Sequence, residues 1–380
     1  MGCSKPDGEA PVIRIGITGI EGLIGWHLRC FFKPRGEFQV IPANRATFAS
    51  AVALQEFVGR CDVVIHLAGA NRGPDQDVAA ANIALTTALI EACDAADVTP
   101  HIIFSSSTHI FRGTAYGASK IACSDRFRAW ADRTGAIFSN LVLPNVFGEH
   151  GKPFYNSVVS TFCHQLALAL VPEVKADATL EFVHCHEIGL FILDLIQKKT
   201  DAEIILPGRS MSISGLLARL TEFDHAYKSA LMPHFSDAFD LALFNTYRSY
   251  LYPQHYPVVV PLNTDQRGTL FETVKSLNGG QTFVSTTKPG VTRGNHFHFH
   301  KVERFFVLSG EAVIRLRRLF SDEVREFPVS SGSPCFIDMP SLHTHNITNT
   351  GDSELITMFW AHEIFDRERP DTYQEMVAPA

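Results

Sequence analysis

The stretch that decides the fold is Val12-Ile13-Arg14-Ile15-Gly16-Ile17-Thr18-Gly19-Ile20-Glu21-Gly22-Leu23-Ile24-Gly25. It begins as a short β-branched strand, passes through a GxxGxxG turn and leads directly into a helical pattern. Glycines at this spacing permit a tight turn, let backbone N–H groups approach a pyrophosphate, and let helix and strand pack closely. The stretch therefore predicts a dinucleotide site, with Gly19, Gly22 and Gly25 as cofactor-binding residues.

Beyond this stretch, β-branched runs continue to alternate with helical segments. The predicted strands are Val12 to Ile17, Gln39 to Ile41, Asp62 to Leu67, Ile102 to Ser105 and Ile137 to Leu143. The predicted helices are Ile24 to Phe32, Ala49 to Val58, Val78 to Ala95, Ser119 to Ala131, Tyr155 to Ala169, Ile188 to Lys198, Ser212 to Phe223 and Phe239 to Tyr250. This alternation predicts an α/β Rossmann domain, in which helices cover both faces of a doubly wound parallel sheet.

The pattern changes near Tyr252-Pro253, where short strands broken by Gly, Pro and Asn replace the helices. The predicted strands are Gln281 to Thr287, Arg304 to Leu308, Ala312 to Arg317, Pro334 to Ile337 and Leu355 to Trp360. Such a series is typical of a small all-β jelly-roll barrel. We therefore predict a disordered tail over residues 1–11, a nucleotide-binding domain over 12–250 and a barrel domain over 251–380.

Composition narrows the class of protein. Apolar residues make up 46% of the 380 residues and the formal net charge is −7, so the chain lacks the basic face that nucleic acid requires. No apolar run is long enough to span a membrane, and we expect a cytoplasmic protein. Scattered cysteines without a CxxC pair predict buried reduced thiols.

The choice of nicotinamide cofactor is expected at the end of the second strand, Ile41-Pro42-Ala43-Asn44-Arg45. NAD-specific sites usually carry an Asp or Glu here, which accepts a hydrogen bond from the ribose 2′-hydroxyl. This segment offers no carboxylate, and Arg45 can pair with a 2′-phosphate. The sequence therefore favours NADP(H) over NAD(H).

A YxxxK pattern, Tyr116-Gly117-Ala118-Ser119-Lys120, follows the serine-rich strand end Ser105-Ser106-Ser107. Tyr116 and Lys120 lie one helical turn apart on the same face, where a cationic lysine can lower the proton affinity of the phenol. A tyrosine tuned in this way acts as a general acid or base near neutral pH. The pattern predicts a hydride-transfer site.

A second cluster, HxHxxxxE, lies in the barrel region, within Asn295-His296-Phe297-His298-Phe299-His300-Lys301-Val302-Glu303. Residues i and i+2 of a strand point the same way, so His296 and His298 can grip one ion while Glu303 reaches it from the adjoining strand. A fourth ligand is expected from a later hairpin. These ligand types suit Zn²⁺, with Fe, Mn or Ni possible.

The first half of the chain resembles the extended short-chain dehydrogenases. The resemblance implies that Tyr116 protonates a carbonyl oxygen, that Lys120 holds the nicotinamide ribose, and that Ser107 rather than Ser106 binds the substrate oxygen. It also implies cofactor contacts from the strand Asp62 to Leu67 and from the segment that begins the sugar-nucleotide pocket. The residues so implied are Asp62, Leu67, Ala68, Gly69 and Pro144.

The second half resembles metal-binding cupins. In Pro340-Ser341-Leu342-His343-Thr344-His345, the cupin motif places the metal-binding His five residues after Pro, which selects His345. The resemblance favours zinc, held by His296, His298, Glu303 and His345. We expect His300 and His343 to be bystanders.

Together the halves resemble the CapF-type capsular polysaccharide biosynthesis enzymes, with shared segments at 66–72, 144–158, 265–268, 293–296 and 370–373. The resemblance implies a cytoplasmic homodimer that acts on a UDP-linked deoxy amino sugar. The cupin would epimerise C3 of a UDP-2-acetamido-2,6-dideoxy-4-hexulose, and the dehydrogenase would reduce C4 with NADPH to an L-talosamine-type precursor of N-acetyl-L-fucosamine. Asn145, Lys152 and Asn156 would bind the substrate.

The chain departs from the family at several positions: His184-Cys185-His186 replaces an acidic turn, Ala115 replaces a proline before Tyr116, and Ile121-Ala122-Cys123 replaces a Gly/Glu-containing turn. A metal site at His184-Cys185-His186 is conceivable, but pocket lining or helix capping is favoured. Three alternatives to the bifunctional enzyme stay open: a reductase with a structural cupin, an NAD-dependent C4 epimerase, and a non-catalytic nucleotide sensor. The intact Ser107, Tyr116 and Lys120 argue against the sensor.

Overall fold

The helices and strands of the chain are given by a computed structural model that describes residues 11–378, so most of the predicted tail lies outside the described residues. The helices are α1 Leu23–Phe32, α2 Arg45–Phe48, α3 Ala51–Val58, α4 Asp75–Ala96, α5 Ala115–Thr134, α6 Val158–Ala167, α7 Cys185–Lys198, α8 Ile213–Lys228 and α9 Ala238–Leu251. A 3-10 helix covers Thr108–Arg112. Each predicted helix therefore corresponds to one in the structure, with ends that differ by a few residues.

The strands fall into two groups along the chain. The first are β1 Ile13–Thr18, β2 Phe38–Ala43, β3 Val63–His66, β4 His101–Ser107, β5 Phe138–Leu143, β6 Asn145–Phe147, β7 Thr179–His184, β8 Ala202–Ile205, β9 Arg209–Ser212 and β10 Leu231–Met232. The second are β11 Val258–Val259, β12 Asn263–Asp265, β13 Gly268–Leu270, β14 Lys275–Ser276, β15 Gln281–Thr287, β16 Thr292–Phe297, β17 Glu303–Ser309, β18 Glu311–Arg318, β19 Val324–Ser330, β20 Cys335–Met339, β21 His343–Asn349, β22 Leu355–Ala361 and β23 Tyr373–Gln374.

A six-stranded sheet forms the centre of the first unit, in the order β2-β1-β3-β4-β5-β8. Every pair in it is parallel, as the βαβ alternation predicts. Two apolar clusters cover it, one around Phe31 and Ile188, the other around Phe127 and Trp130. The sheet is thus doubly covered, and the predicted Rossmann architecture is confirmed.

Two five-stranded sheets form the barrel, in the orders β11-β20-β17-β22-β15 and β19-β18-β21-β16-β23. Their pairs are antiparallel, and inward side chains such as Phe305, Leu316 and Ile337 fill the space between them. This packing of two sheets confirms the predicted all-β jelly roll.

Each of the two compact units combines two separate stretches of the chain. The first unit includes the chain up to Phe147 and Leu180–Ser210, and the second comprises Gly148–Thr179 and Met211 to the carboxyl end. In the second unit, α9 is tied to the barrel because Asn245 Nδ2 donates to the carbonyl of His300 at 2.9 Å. The helices α6, α8 and α9 therefore group with the barrel by their contacts. That residue 250 separates two independently folding domains stays a prediction.

One described helix, α4, passes a length and hydropathy test for a membrane span, although the sequence reading predicted none. A third of its apolar window is buried, and Leu89 and Cys93 belong to the core beside the sheet. These are features of a helix packed on a sheet. The described cysteines, all free and buried, are Cys30, Cys61, Cys93, Cys123, Cys163, Cys185 and Cys335.

Candidate functional site

The glycine-rich turn after β1 has the tight geometry that its spacing predicts. Gly19 adopts a φ of +68°, and a Cβ on it would lie 2.9 Å from the backbone nitrogen of Ala68. A Cβ on Gly25 would lie 2.5 Å from the carbonyl oxygen of Gly19, and the Gly22 N–H donates to that same oxygen at 3.0 Å. Larger residues would push the turn away from β3 and α1. Contact of these glycines with a cofactor stays a prediction.

Thr18 joins the turn to the end of β3, a contact that sequence reasoning did not predict. Its buried hydroxyl accepts hydrogen bonds from the N–H groups of Leu67 and Ala68, both at 3.1 Å, and lies 2.9 Å from His66 Nδ1. Burial lowers the pKa of His66 to about 3, so this ring is neutral. The segment predicted to pass beneath the cofactor is therefore held against the glycine-rich turn.

Lys120 approaches this segment from α5, whose first turn is capped by Thr114 through the N–H of Gly117 at 3.0 Å. A Cβ on Gly69 would lie 3.8 Å from Lys120 Nζ. Asn82 fixes the chain just beyond, because its amide bonds both the N–H and the carbonyl of Ala70 at 2.7 and 3.0 Å. The structure thus brings together the glycine-rich turn, the Leu-Ala-Gly segment and the YxxxK helix.

Burial dominates the electrostatics of the Tyr116 and Lys120 pair. It lowers the pKa of Lys120 to about 8 and raises the pKa of Tyr116 to about 12. Lys120 Nζ donates to the carbonyl of Ser105 at 2.7 Å and lies 5.8 Å from the centre of the Tyr116 ring. The pKa of the phenol therefore moves opposite to the predicted direction, because loss of water on burial disfavours the charged phenolate.

The three serines at the end of β4 have different surroundings. Ser105 Oγ donates to the carbonyl of His66 at 3.2 Å, and Ser107 Oγ accepts from the N–H of His109 at 3.3 Å. Ser106 points to the opposite face of the strand, is 4% exposed, and its hydroxyl has no hydrogen-bond partner among the described residues. Ser107, which is partly exposed, stays the predicted substrate contact.

Arg45 begins α2, directly after β2, and its side chain is exposed. Asn44 caps this helix by accepting from the N–H groups of Ala46 and Thr47 at 2.9 and 3.2 Å. The structure shows no ion pair between Arg45 and a described carboxylate. Its position beside β1 suits the predicted role, and contact with a 2′-phosphate stays a prediction.

Asp62 does not lie where the predicted adenine contact requires. It precedes β3, next to the amino end of β1, whereas the glycine-rich turn follows the carboxyl end of β1. Its carboxylate accepts from the Arg14 guanidinium at 2.7 and 3.0 Å, which lowers the pKa of Asp62. The position contradicts the assignment of Asp62 to the cofactor, because parallel sheets bind ligands at the carboxyl ends of their strands.

The predicted substrate residues fall in both units. Asn145 Nδ2 donates to the carbonyl of Glu181 at 3.0 Å, and the preceding Pro144, between β5 and β6, stays a predicted cofactor contact. Lys152 and Asn156 belong to the second unit, where Lys152 Nζ lies 5.4 Å from the centre of the Tyr155 ring. Substrate binding by Asn145, Lys152 and Asn156 stays a prediction.

The His184-Cys185-His186 segment forms the start of α7. His184 Nδ1 accepts from the N–H of His186 at 3.3 Å, which is the favoured capping role. Cys185 is buried, and no group of metal-binding geometry includes these residues among residues 11–378. The capping role is confirmed.

The four residues predicted to bind metal meet in the barrel. Ligand atoms of His296, His298, Glu303 and His345 all lie within 4.8 Å of one another. His296 on β16 is paired with His345 on β21, and His298 Nε2 lies 3.1 Å from Glu303 Oε2. His343 and His300 are outside the group, as predicted for bystanders. Antiparallel pairing thus brings distant parts of the sequence to one point.

The surroundings of these ligands fit a divalent cation. The Nδ1 atoms of His298 and His345 face the carbonyls of Asp371 and His343, which leaves each Nε2 to point into the cluster. Both Nε2 atoms are buried and make no hydrogen bond within the described part of the chain. The neighbouring histidines hold the pKa of Glu303 well below its usual range. Three imidazoles and one carboxylate are a donor set for zinc or a similar ion.

Asp371 orders the loop that carries His298. Its carboxylate accepts from the N–H groups of Phe299, His300 and Lys301 at 3.0, 2.8 and 2.8 Å. Segment 370–373, shared with the CapF-type enzymes, thus has a structural role beside the metal cluster. It holds both the loop and the ring orientation of a predicted ligand.

The cluster opens into a barrel cavity of about 450 Å³. Its walls combine aromatic rings with a few charged groups. The lining residues are Gln281, Phe283, Ser285, Arg293, Gly294, His296, Lys301, Glu303, Phe305, Ile347, Phe359, Ala361, Glu363, Phe365 and Thr372. A mostly apolar cavity with few convergent polar groups is typical of a small-molecule site.

Comparisons with known proteins agree with this architecture. Residues 15–206 match the NAD dependent epimerase/dehydratase family, and residues 263–373 match the polysaccharide biosynthesis C-terminal domain. The capsular polysaccharide assembling protein CapF from Staphylococcus aureus is 30% identical, with a TM-score of 0.63 over 96% of this chain and 100% of that chain. The chain belongs to the CapF-type capsular polysaccharide biosynthesis enzymes.

Other relatives of this CapF-type chain support the assignment. UDP-2-acetamido-2,6-beta-L-arabino-hexul-4-ose reductase from Pseudomonas aeruginosa is 31% identical over 366 residues, which cover 95% of this chain and 98% of that protein. RMD from Pseudomonas aeruginosa shares the fold, with 19% identity and a TM-score of 0.52 over 56% of this chain and 84% of that one. The likeness to RMD shows the fold alone, whereas the family match over residues 15–206 makes this part of the chain a nicotinamide-dependent oxidoreductase or epimerase.

Proposed function

We propose that the chain is a bifunctional sugar-nucleotide enzyme. The barrel epimerises C3 of a UDP-2-acetamido-2,6-dideoxy-4-hexulose, and the first unit then reduces the C4 ketone with NADPH. The product is a UDP-N-acetyl-L-talosamine-type precursor of N-acetyl-L-fucosamine for a capsular or O-antigen polysaccharide. The observation that carries the proposal is that one chain holds a YxxxK site at a glycine-rich turn and a four-ligand cluster facing a barrel cavity. The name of the Pseudomonas aeruginosa reductase supports the substrate class.

In the reductase step, Tyr116 is the proton donor. A bound nicotinamide supplies the hydride. Burial raises the pKa of Tyr116 to about 12, so the phenol is protonated at neutral pH and can donate to the developing alkoxide at C4. Ser107 would hydrogen-bond the same oxygen, and Lys120, anchored by the Ser105 carbonyl, would hold the nicotinamide ribose.

Arg45 supports the choice of NADPH. Arg45 comes directly after β2, the strand that pairs with β1, and its guanidinium is exposed. In this fold the ribose of a bound dinucleotide lies near the end of this strand. A 2′-phosphate there would gain a charge-assisted partner.

In the barrel step, His296, His298, Glu303 and His345 would hold Zn²⁺. The ion supplies positive charge that stabilises negative charge formed on a carbonyl oxygen. Because a 4-keto group acidifies the C3 proton, epimerisation through an enolate suits a cavity that combines polar groups with apolar walls. We further propose that the enzyme acts in the cytoplasm as a homodimer.

The experiment that tests the proposal follows each step separately on a UDP-2-acetamido-2,6-dideoxy-4-hexulose. NMR in D₂O without NADPH should show deuterium entering C3, and addition of NADPH should give cofactor oxidation and a C4 alcohol. Reduction without C3 exchange would identify a reductase with a structural cupin. Release of C4 epimers without added NADPH would identify an NAD-dependent epimerase.

A further inference from the structure

A carboxylate just beyond the end of β22 lines the cavity and belongs to neither predicted site. Side chains alternate along a strand, so Phe359 and Ala361 of β22 face the cavity, and Glu363 continues the series just beyond the strand. Ala361 pairs with Glu303 of β17, which places the start of this extension next to the metal cluster. Glu363 thus lines the cavity two residues beyond Ala361.

The other charged side chains in the cavity wall already have partners. Arg293 donates to Thr287 Oγ1 and to the carbonyl of Thr286 at 3.0 and 2.9 Å. Lys301 Nζ donates to the carbonyl of Pro370 at 2.6 Å. Glu303 belongs to the metal cluster. The remaining carboxylate in the wall is that of Glu363, whose side chain is 43% exposed and accessible to a ligand.

The surroundings of Glu363 suit a proton acceptor. His362 Nδ1 accepts from the N–H of Val302 at 3.1 Å, so its Nε2 carries the proton, 3.9 Å from Glu363 Oε2. Partial burial raises the pKa of Glu363 above that of an ordinary glutamate; the charges of Lys301 and His298 oppose this increase, and those of Asp371 and Glu303 add to it. A stronger base than a solvated carboxylate results, and it still has access to the cavity.

We propose that Glu363 is the general base that removes the C3 proton in the barrel cavity. The inference rests on the proposed function and names the residue that carries its epimerisation step. The C3–H bond breaks and the proton moves to a Glu363 carboxylate oxygen. The electron pair of that bond forms C3=C4, and the C4=O pair moves to oxygen to give an enolate. Return of this pair and addition of a proton from water to the opposite face of C3 restore the ketone in epimerised form, and the proton on Glu363 passes to the hydroxide so formed, which regenerates water and the carboxylate.

The test uses the full-length, metal-loaded enzyme and the UDP-2-acetamido-2,6-dideoxy-4-hexulose in D₂O without NADPH. Deuterium entry at C3 should fall by roughly two to four orders of magnitude in Glu363→Gln. Metal content by elemental analysis and the thermal unfolding midpoint should stay at wild-type values. Glu368→Gln is the matched control, because Glu368 is exposed and lies outside the cavity wall, and it should exchange normally.

A second variant separates chemistry from structure. Glu363→Ala should lose exchange and regain part of it with added formate, because a free carboxylate can occupy the vacated space. Wild-type exchange in Glu363→Gln, or loss of exchange together with the metal and without formate rescue, would overturn the assignment.

The wild-type enzyme distinguishes failure of the Glu363 assignment from failure of the proposed epimerase function. Exchange in both the wild type and Glu363→Gln removes only the role of Glu363. Absence of C3 exchange in the wild type overturns the epimerase function and with it this proposal.

Discussion

The reductase site and the barrel site both bury charged groups, but they compensate the charge differently. Lys120, 5% exposed, is stabilised by the carbonyl of Ser105 and by the face of Phe104, whose ring centre lies 4.7 Å from Nζ. Its pKa falls to about 8. Glu303, 8% exposed, lies among three imidazoles, and its pKa falls despite burial. Loss of water therefore determines the direction of the pKa shift of Lys120, whereas the neighbouring imidazoles determine that of Glu303.

This difference indicates what each site is prepared to receive. Burial raises the pKa of Tyr116, so the phenol keeps its proton, and it lowers the pKa of Lys120, so the ammonium loses its proton more easily. Both shifts suit a site that delivers a proton. The barrel cluster keeps its carboxylate ionised and holds the Nε2 atoms of His298 and His345 inward, which suits a site that binds a cation.

The variant with the largest expected effect tests whether Tyr116 of the reductase site is the proton donor. Tyr116→Phe should reduce NADPH oxidation by roughly two to four orders of magnitude, because the phenol is the proposed proton donor. Deuterium exchange at C3 should continue in the barrel. Undiminished NADPH oxidation would remove Tyr116 from its role.

The next effect tests the barrel cluster. His298→Ala should weaken metal binding by at least about 10- to 100-fold, since even loss of an outer partner costs that much. Elemental analysis and titration with Zn²⁺ measure the loss, and NADPH oxidation with a ketone already epimerised at C3 serves as the control. Full metal occupancy in the variant would contradict the predicted ligand set.

A pH experiment tests the uncompensated charge of Lys120 in cofactor-free protein. Between pH 8 and 10.5 the unfolded chain keeps the Lys120 proton that the folded protein has lost, so stability rises with pH. Relative to Lys120→Met, the wild type should gain up to about 3 kcal/mol in unfolding free energy over this window. Denaturant unfolding at pH 7.5 and 10 measures the change, and a pH-independent difference would contradict it.

A smaller effect is expected for cofactor choice. Arg45→Ala should reduce the preference for NADPH over NADH by roughly 10- to 100-fold, because hydrogen bonds to charged groups contribute about 1.5–3 kcal/mol. The ratio of kcat/KM for the two cofactors measures it. Equal use of both cofactors before and after the change would make Arg45 a bystander.

The smallest effect tests the correction at Asp62. Asp62→Asn should leave the KM for NADPH unchanged, because the carboxylate pairs with Arg14 beside the amino end of the sheet. Steady-state kinetics measure the KM, with Arg45→Ala as the positive control. A raised KM for NADPH in the Asn variant would restore Asp62 to the cofactor site.

Local patterns in the sequence were sufficient to predict the fold class and the four residues that meet in the barrel, whereas the reductase residues stay predictions and Asp62 was assigned wrongly. The hydrophobic patterns of strands and helices are local in the sequence. The motifs are local too: GxxGxxG spans one turn, YxxxK one helical turn and HxHxxxxE one hairpin. His345 came from a family motif, and strand pairing with His296 confirms that the two lie together.

Tertiary structure decided what depends on distant neighbours. The segment predicted to pass beneath the cofactor is held by two side chains distant in sequence. Thr18 binds Ala68 from 50 positions away, and Asn82 binds Ala70 from 12 positions away. The strand that follows Asp62 was predicted correctly, but the role of Asp62 was not. Its partner Arg14 lies 48 positions away in the sequence, and only the paired strands show that the two side chains meet. The pKa of Tyr116 moved opposite to the prediction, since a motif shows the charge of Lys120 but not the water that both side chains lose on burial.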